Sequence, residues 1–190
     1  GRVFSVGRQR IIAPLGHLPR RPPMLEHAFN GPPFTIGIEE ELMILDADTL
    51  ELEQGVEQLL EAVPPDYEGQ VKPELMASVL EIATTPCGGV DEAGRQLAEL
   101  RGMVDGLARE RGMVMGAAGT HPTGRWEDQR IVDRPRYRDL VDRLGYLARR
   151  ELIFGTHVHV AIEGADKAIY VADGIRRYLP LLLALSTNSP

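Results

Sequence analysis

Residues 34–45 read FTIGIEEELMIL, an apolar run interrupted only by Thr35, Gly37 and three consecutive acids, Glu39, Glu40 and Glu41. A run of this length and composition is predicted to form a strand. Side chains alternate along a strand, so Glu39 and Glu41 share one face and Glu40 takes the other. Two carboxylates about 7 Å apart on one face repel by about 2 kcal/mol at an effective dielectric of about 20, and burial raises the cost. A chain tolerates such a pair when cations lie between the carboxylates. A solvated strand end is the competing explanation, and the apolar residues on both sides weigh against it.

Working outward, Asp46-Ala-Asp48 reads as a turn and 56–63 as a short helix ended by Pro64-Pro65. VLEIATT (79–85) is predicted to be a strand ending at Pro86. Asp91 is a candidate N-cap for a helix to about Arg111, with Leu97, Leu100, Val104 and Leu107 as its apolar stripe. MVMGAAG (113–119) is expected to be a buried strand, and Tyr137, Leu140, Val141, Leu144 and Leu147 mark a second amphipathic helix. LIFGTHVHVAI (152–162) reads as another strand and 166–185 as mostly helical. Strands mixed with helices in this way indicate α+β, although the pattern alone leaves a parallel α/β sheet open. Residues 1–33 are Arg- and Pro-rich without a sustained period. They are expected to form an extension that can be mobile, with the folded domain covering 34–190.

The chemistry-bearing residues recur in these strands. Glu81 lies inside the apolar VLEIA, and Glu74 stands seven residues before it. His157-Val-His159 is an i, i+2 pair on one strand face, drawn from only five histidines. Imidazole ligates transition metals, and a hard cation such as Mg²⁺ accepts one imidazole among carboxylate oxygens. Histidines bonded to backbone in a core are the plainer account of an isolated pair. Glu39, Glu41, Glu81 and His157 together form a carboxylate-rich set suited to Mg²⁺ or Mn²⁺ and to nucleotide phosphates. The chain has neither GxxxxGK[ST] nor GxGxxG, and Gly116-Ala-Ala-Gly119 reads as close sheet packing rather than a phosphate loop. Cys87 has no evident base partner and reads as structural.

Composition bounds the rest. The 190 residues are 43% hydrophobic and 26% charged, the balance of a soluble globular chain. Such a length can bury roughly 70% of its unfolded surface. The longest strongly apolar stretch, 178–185, is far short of the ~20 residues that span a bilayer, and no secretory signal is expected. A single cysteine fits a reducing cytoplasm. The net charge of −7 divides into +4 over residues 1–33 and −11 over the remainder, so a nucleic-acid groove is not expected. A phosphate-bearing substrate remains compatible if metal ions supply the positive charge.

Five blocks in order, GIEEELMILD, VLEIATTP, AAGTHP with RWEDQRIVDRPRY, FGTHVHVAI and LLLALSTNSP, resemble the glutamate–cysteine ligase type 2 family of carboxylate–amine ligases over about Phe34 to Pro190. The resemblance implies the fold of the glutamine synthetase superfamily, an antiparallel sheet curved into a funnel with helices outside. It implies ATP-dependent ligation in glutathione biosynthesis, with glutamate phosphorylated on its γ-carboxylate and the amine of cysteine displacing phosphate to give γ-glutamylcysteine, or another amine taking the place of cysteine. By motif position Glu39, Glu41, Glu81 and His157 look like metal ligands, the three acids also holding the nucleotide through the metal. Glu74 falls at an acidic ligand position of related ligases. His159 and His121, the latter in the GTHP block, are candidate substrate contacts. Family members are about twice this length, so the 190 residues are expected to be half a funnel, completed by a C-terminal segment or in a homo-oligomer. No membrane partner is expected. Two alternatives stand beside this reading: a metal-dependent hydrolase using His157 and His159, and a non-catalytic partial chain that needs a partner segment.

Overall fold

The computed structural model describes residues 32–188. The expectation for the extension 1–33 therefore lies outside the described residues, Pro32 and Pro33 apart. The decisive strand forms as β1 (Ile36–Asp46), and everything else is arranged about it. One edge of β1 pairs with β3 (Val79–Ala83), and β2 (Val71–Pro73) lies beyond β3. The opposite edge is shared end to end. β5 (Thr156–Val160) takes Ile36–Glu40, and β4 (Met113–Gly116) takes Met43–Asp46. Every pairing is antiparallel, which removes the parallel alternative and makes the chain α+β with an open sheet.

One sheet face is covered by α2 (Val90–Arg109), whose buried side chains are Ala93, Leu100, Val104 and Ala108. Leu100, Val104 and Ala108 form one core with Leu42, Ile44, Leu80 and Ile82, each of these four 2% exposed or less. Burying each such Leu or Ile stabilises by about 1.5–3 kcal/mol. Glu40 belongs to this face by alternation and is 6% exposed. Its carboxylate accepts from Arg101 Nε at 2.6 Å and Nη2 at 2.5 Å, a two-point pair that neutralises it against α2. Gly116 is where β4 presses closest on β1, since a Cβ there would meet Leu45 Cδ1 at 2.9 Å. The close-packing expectation for this glycine holds.

Several expected boundaries move. β2 has no signal in the sequence, because three residues ending in Pro73 are too short to show a period. α1 ends at Leu60 rather than Val63, and only a turn follows it. α2 starts at Val90 after Gly89, so Asp91 sits in its first turn instead of capping it and still favours the helix dipole. β4 ends at Gly116, and of its residues only Met113 is buried. The second amphipathic helix breaks into α3 (Pro135–Leu144) and α4 (Tyr146–Arg149) at Gly145, which takes φ +53°. β5 is half the expected length, and all five of its residues are exposed. The final helical stretch is α5 (Ala165–Ile175), a 3₁₀ turn and α6 (Leu179–Leu185), with no buried residue in either helix. Cys87 is buried, and its thiol donates to the Thr85 carbonyl at 3.1 Å, consistent with a structural role.

Candidate functional site

The face of the sheet opposite α2 is where the remaining acids gather. Alternation sends Glu39 and Glu41 there, and register brings the other strands to meet them. Glu81 stands directly opposite Glu41, and His157 directly opposite Glu39. Lys72 stands opposite Glu81 on its other side, and His159 opposite Gly37. Directly opposed side chains have Cβ atoms about 5 Å apart, and opposed like charges destabilise a pair of strands. The Glu41–Glu81 pair is therefore a standing electrostatic cost at the centre of the sheet.

Each carboxylate has a partner of its own. Glu39 Oε2 lies 3.1 Å from His159 Nε2 and 3.5 Å from His157 Nδ1. The His159 hydrogen bond, aided by the charges of His159, Lys72 and His157, holds the Glu39 carboxyl below its ordinary value. Glu41 Oε2 accepts from the Gly155 amide at 2.6 Å. Glu81 is almost buried, and its Oε1 accepts from Lys72 Nζ at 2.9 Å. Glu74 sits just beyond β2, accepts from the Leu75 amide at 3.0 Å and lies 3.7 Å from Arg136. Burial, with the charges of Glu41 and Glu81 behind it, pushes the Glu74 carboxyl up against the opposing pull of the Leu75 amide and Arg136.

Glu41, Glu74 and His157 line one cavity of about 340 Å³ together with Glu151, which no motif marked out. Glu39 and His159 line a neighbouring one of about 330 Å³. A larger cavity of about 1090 Å³ lies against α6, and apart from Glu40 and Glu41 its lining is mostly apolar or small. Glu41 lines this cavity as well, whereas Glu39, Glu74, His157 and His159 line only the smaller two. His121 is placed differently. Its Nε2 meets the Leu50 carbonyl at 2.9 Å and its Nδ1 accepts from the Gly124 amide at 2.8 Å, so none of the candidate carboxylates is among its partners.

The donor set, carboxylate oxygens with an imidazole, is the one that hard divalent cations take. Gly155 keeps the space between two of the donors open, since a Cβ there would lie 3.3 Å from Glu41 Oε2 and 3.4 Å from His157 Nε2. The residues thus fit a Mg²⁺ or Mn²⁺ site in type and in face. Among the described residues, no three His, Cys, Asp or Glu side chains converge on a single point. Each donor is turned instead to its present partner. Lys72, Glu151 and Arg136 are the neighbours that sequence reading missed. Alternation within VLEIA sets Glu81 on the face away from Leu80 and Ile82, but no short-range signal gives the β2 register that brings Lys72 to it.

The structure thus sets an acid- and imidazole-bearing face on an open antiparallel sheet, with a helix layer behind it. The chain belongs to the glutamate–cysteine ligase family 2, whose model matches residues 35–190. It is 46% identical over 157 residues to a Rubrobacter xylanophilus protein named "Putative glutamate--cysteine ligase 2-1", and 47% identical over 159 residues to "Putative glutamate--cysteine ligase 2" of Sorangium cellulosum. Each match covers 83% of this chain and 42% of the relative, so the chain spans well under half the length of these proteins. Among solved structures, a Francisella tularensis glutamate–cysteine ligase in complex with AMP is similar at TM-score 0.47 and 14% identity, over 78% of this chain and 30% of that one. No helix among the described residues is long and apolar enough to cross a membrane.

Proposed function

We propose that the protein is an ATP-dependent carboxylate–amine ligase that joins glutamate to cysteine through a γ-glutamyl phosphate. Family membership supports the reaction class. The observation that carries the assignment to this face is the register that puts Glu39, Glu41, Glu81 and His157 on one side of the sheet. These four side chains would hold Mg²⁺ or Mn²⁺, with Glu74 beside them. The bound metal would supply the positive charge that lets triphosphate and carboxylate approach each other. In the first step a γ-carboxylate oxygen of glutamate bonds to the terminal phosphorus of ATP and ADP leaves. In the second the amine nitrogen bonds to the acyl carbon, loses a proton, and phosphate leaves. No protein nucleophile enters either step, in keeping with a buried, hydrogen-bonded Cys87. The site would be completed by the further length that the relatives have, and the product would enter glutathione biosynthesis in the cytoplasm.

The test is phosphate release from ATP by the full-length protein with glutamate and a panel of amines. Stimulation that is greatest with cysteine is expected. No stimulation by any amine would remove the ligase assignment. Zinc retained through purification by His157 and His159, without any response to ATP, would favour a hydrolase.

A further inference from the structure

Only two of the 21 basic residues in the chain are lysines, Lys72 and Lys167. One of them stands among the candidate metal ligands. The contrast between the two sides of the sheet is informative. Facing α2, Glu40 is held by Arg101 through two hydrogen bonds from a planar fork, a contact with no reason to open. On the acid face, Glu81 is held by Lys72 through one contact at 2.9 Å. An ammonium is a strongly hydrated point charge on a flexible stem, and it leaves a carboxylate more readily than a guanidinium does. The Lys72 side chain is 38% exposed while Glu81 is 11% exposed, so the cation has the wider path to water.

The charges on this face are also unbalanced. Glu41 opposes Glu81 directly, and the charge of Lys72 reaches Glu39 as well. Lys72 and Arg136 are the cations set against Glu39, Glu41, Glu74 and Glu81, so the acids remain in excess. A divalent ion shared by Glu81 and its neighbours would offset more.

We propose that Lys72 is a tethered placeholder cation: its ammonium balances Glu81 while the face is metal-free and releases it when a divalent metal binds. The proposal rests on the metal-face reading above. It makes Lys72 a positioning residue that holds the Glu81 carboxylate toward β2.

Amine acylation of the full-length protein, followed by mass spectrometry with and without Mn²⁺, reads this directly. Lys167, whose ammonium lies 5.1 Å over the Phe34 ring, is the internal reference. Labelling of Lys72 relative to Lys167 is expected to rise about fivefold on saturation with Mn²⁺, the scale of one released ion pair. Lys72→Met is expected to bind Mn²⁺ more tightly than the wild type by about the same factor, and Lys72→Arg, which can grip Glu81 through its fork, more weakly. Wild-type protein that binds Mn²⁺ with Lys72 labelling unchanged or reduced would overturn the placeholder role alone. Wild-type protein that binds no Mn²⁺ at all would overturn the metal reading and this inference with it.

Discussion

Neighbouring glutamates in one strand have opposite fates. Glu40 points into the helix layer and is neutralised by Arg101, whereas Glu39 and Glu41 point to the open face and meet imidazoles, a backbone amide and other acids. Strand alternation makes that division legible from the sequence, because parity survives any error in where the strand begins. The partner of Glu40 was not legible, since Arg101 is 61 residues away on a helix whose rotation depends on packing. Removing Arg101 leaves a nearly buried carboxylate unpaired. Arg101→Met is expected to lower unfolding free energy by about 2 kcal/mol in urea titration, at the moderate end because the guanidinium is half exposed. Adding Glu40→Leu should restore most of that loss. A double variant as unstable as the single one would show that the pair is not what the charge on Glu40 needs.

At the scale of elements, the type of each long segment was readable, and its partners were not. β1 and α2 announce themselves by length and period, whereas β2 is three residues long and invisible without β3 beside it. Gly145 looked like one more residue of a helix until its positive φ divided α3 from α4. Glu151 carries no signal in the sequence because it precedes β5 in an irregular stretch, and its place comes from the cavity it shares with Glu41, Glu74 and His157. Gly155, at the entry to β5, supplies both the amide that holds Glu41 and the clearance between Glu41 and His157. Gly155→Ala should therefore weaken Mn²⁺ binding by about tenfold, measured by electron paramagnetic resonance, with thermal stability nearly unchanged. An unchanged affinity would mean that these two side chains do not act together on a metal.

Across the whole molecule, one half of the described structure is packed and the other is bare. The core gathers where β1, β3 and α2 meet, while Tyr170, Leu183 and Leu185 on α5 and α6 are 80%, 73% and 76% exposed. Exposed apolar side chains gathered in this way favour association with another surface. The 190-residue chain alone is expected to self-associate as its concentration rises in sedimentation velocity, and Leu183→Glu with Leu185→Glu should shift it toward monomer. A wild-type monomer at every concentration would contradict this. The acidic body with net charge −11 beyond residue 33 gains a specific meaning from the fold, because part of it is concentrated on one side of one sheet. We infer that this side holds a divalent metal. The most direct test is a Mn²⁺ titration of the full-length protein followed by electron paramagnetic resonance, comparing wild type with Glu39→Gln/Glu41→Gln. The account predicts stoichiometric binding by the wild type and a loss of affinity of about a hundredfold or more in the double variant. Equal binding by the two proteins, or none by the wild type, would contradict it.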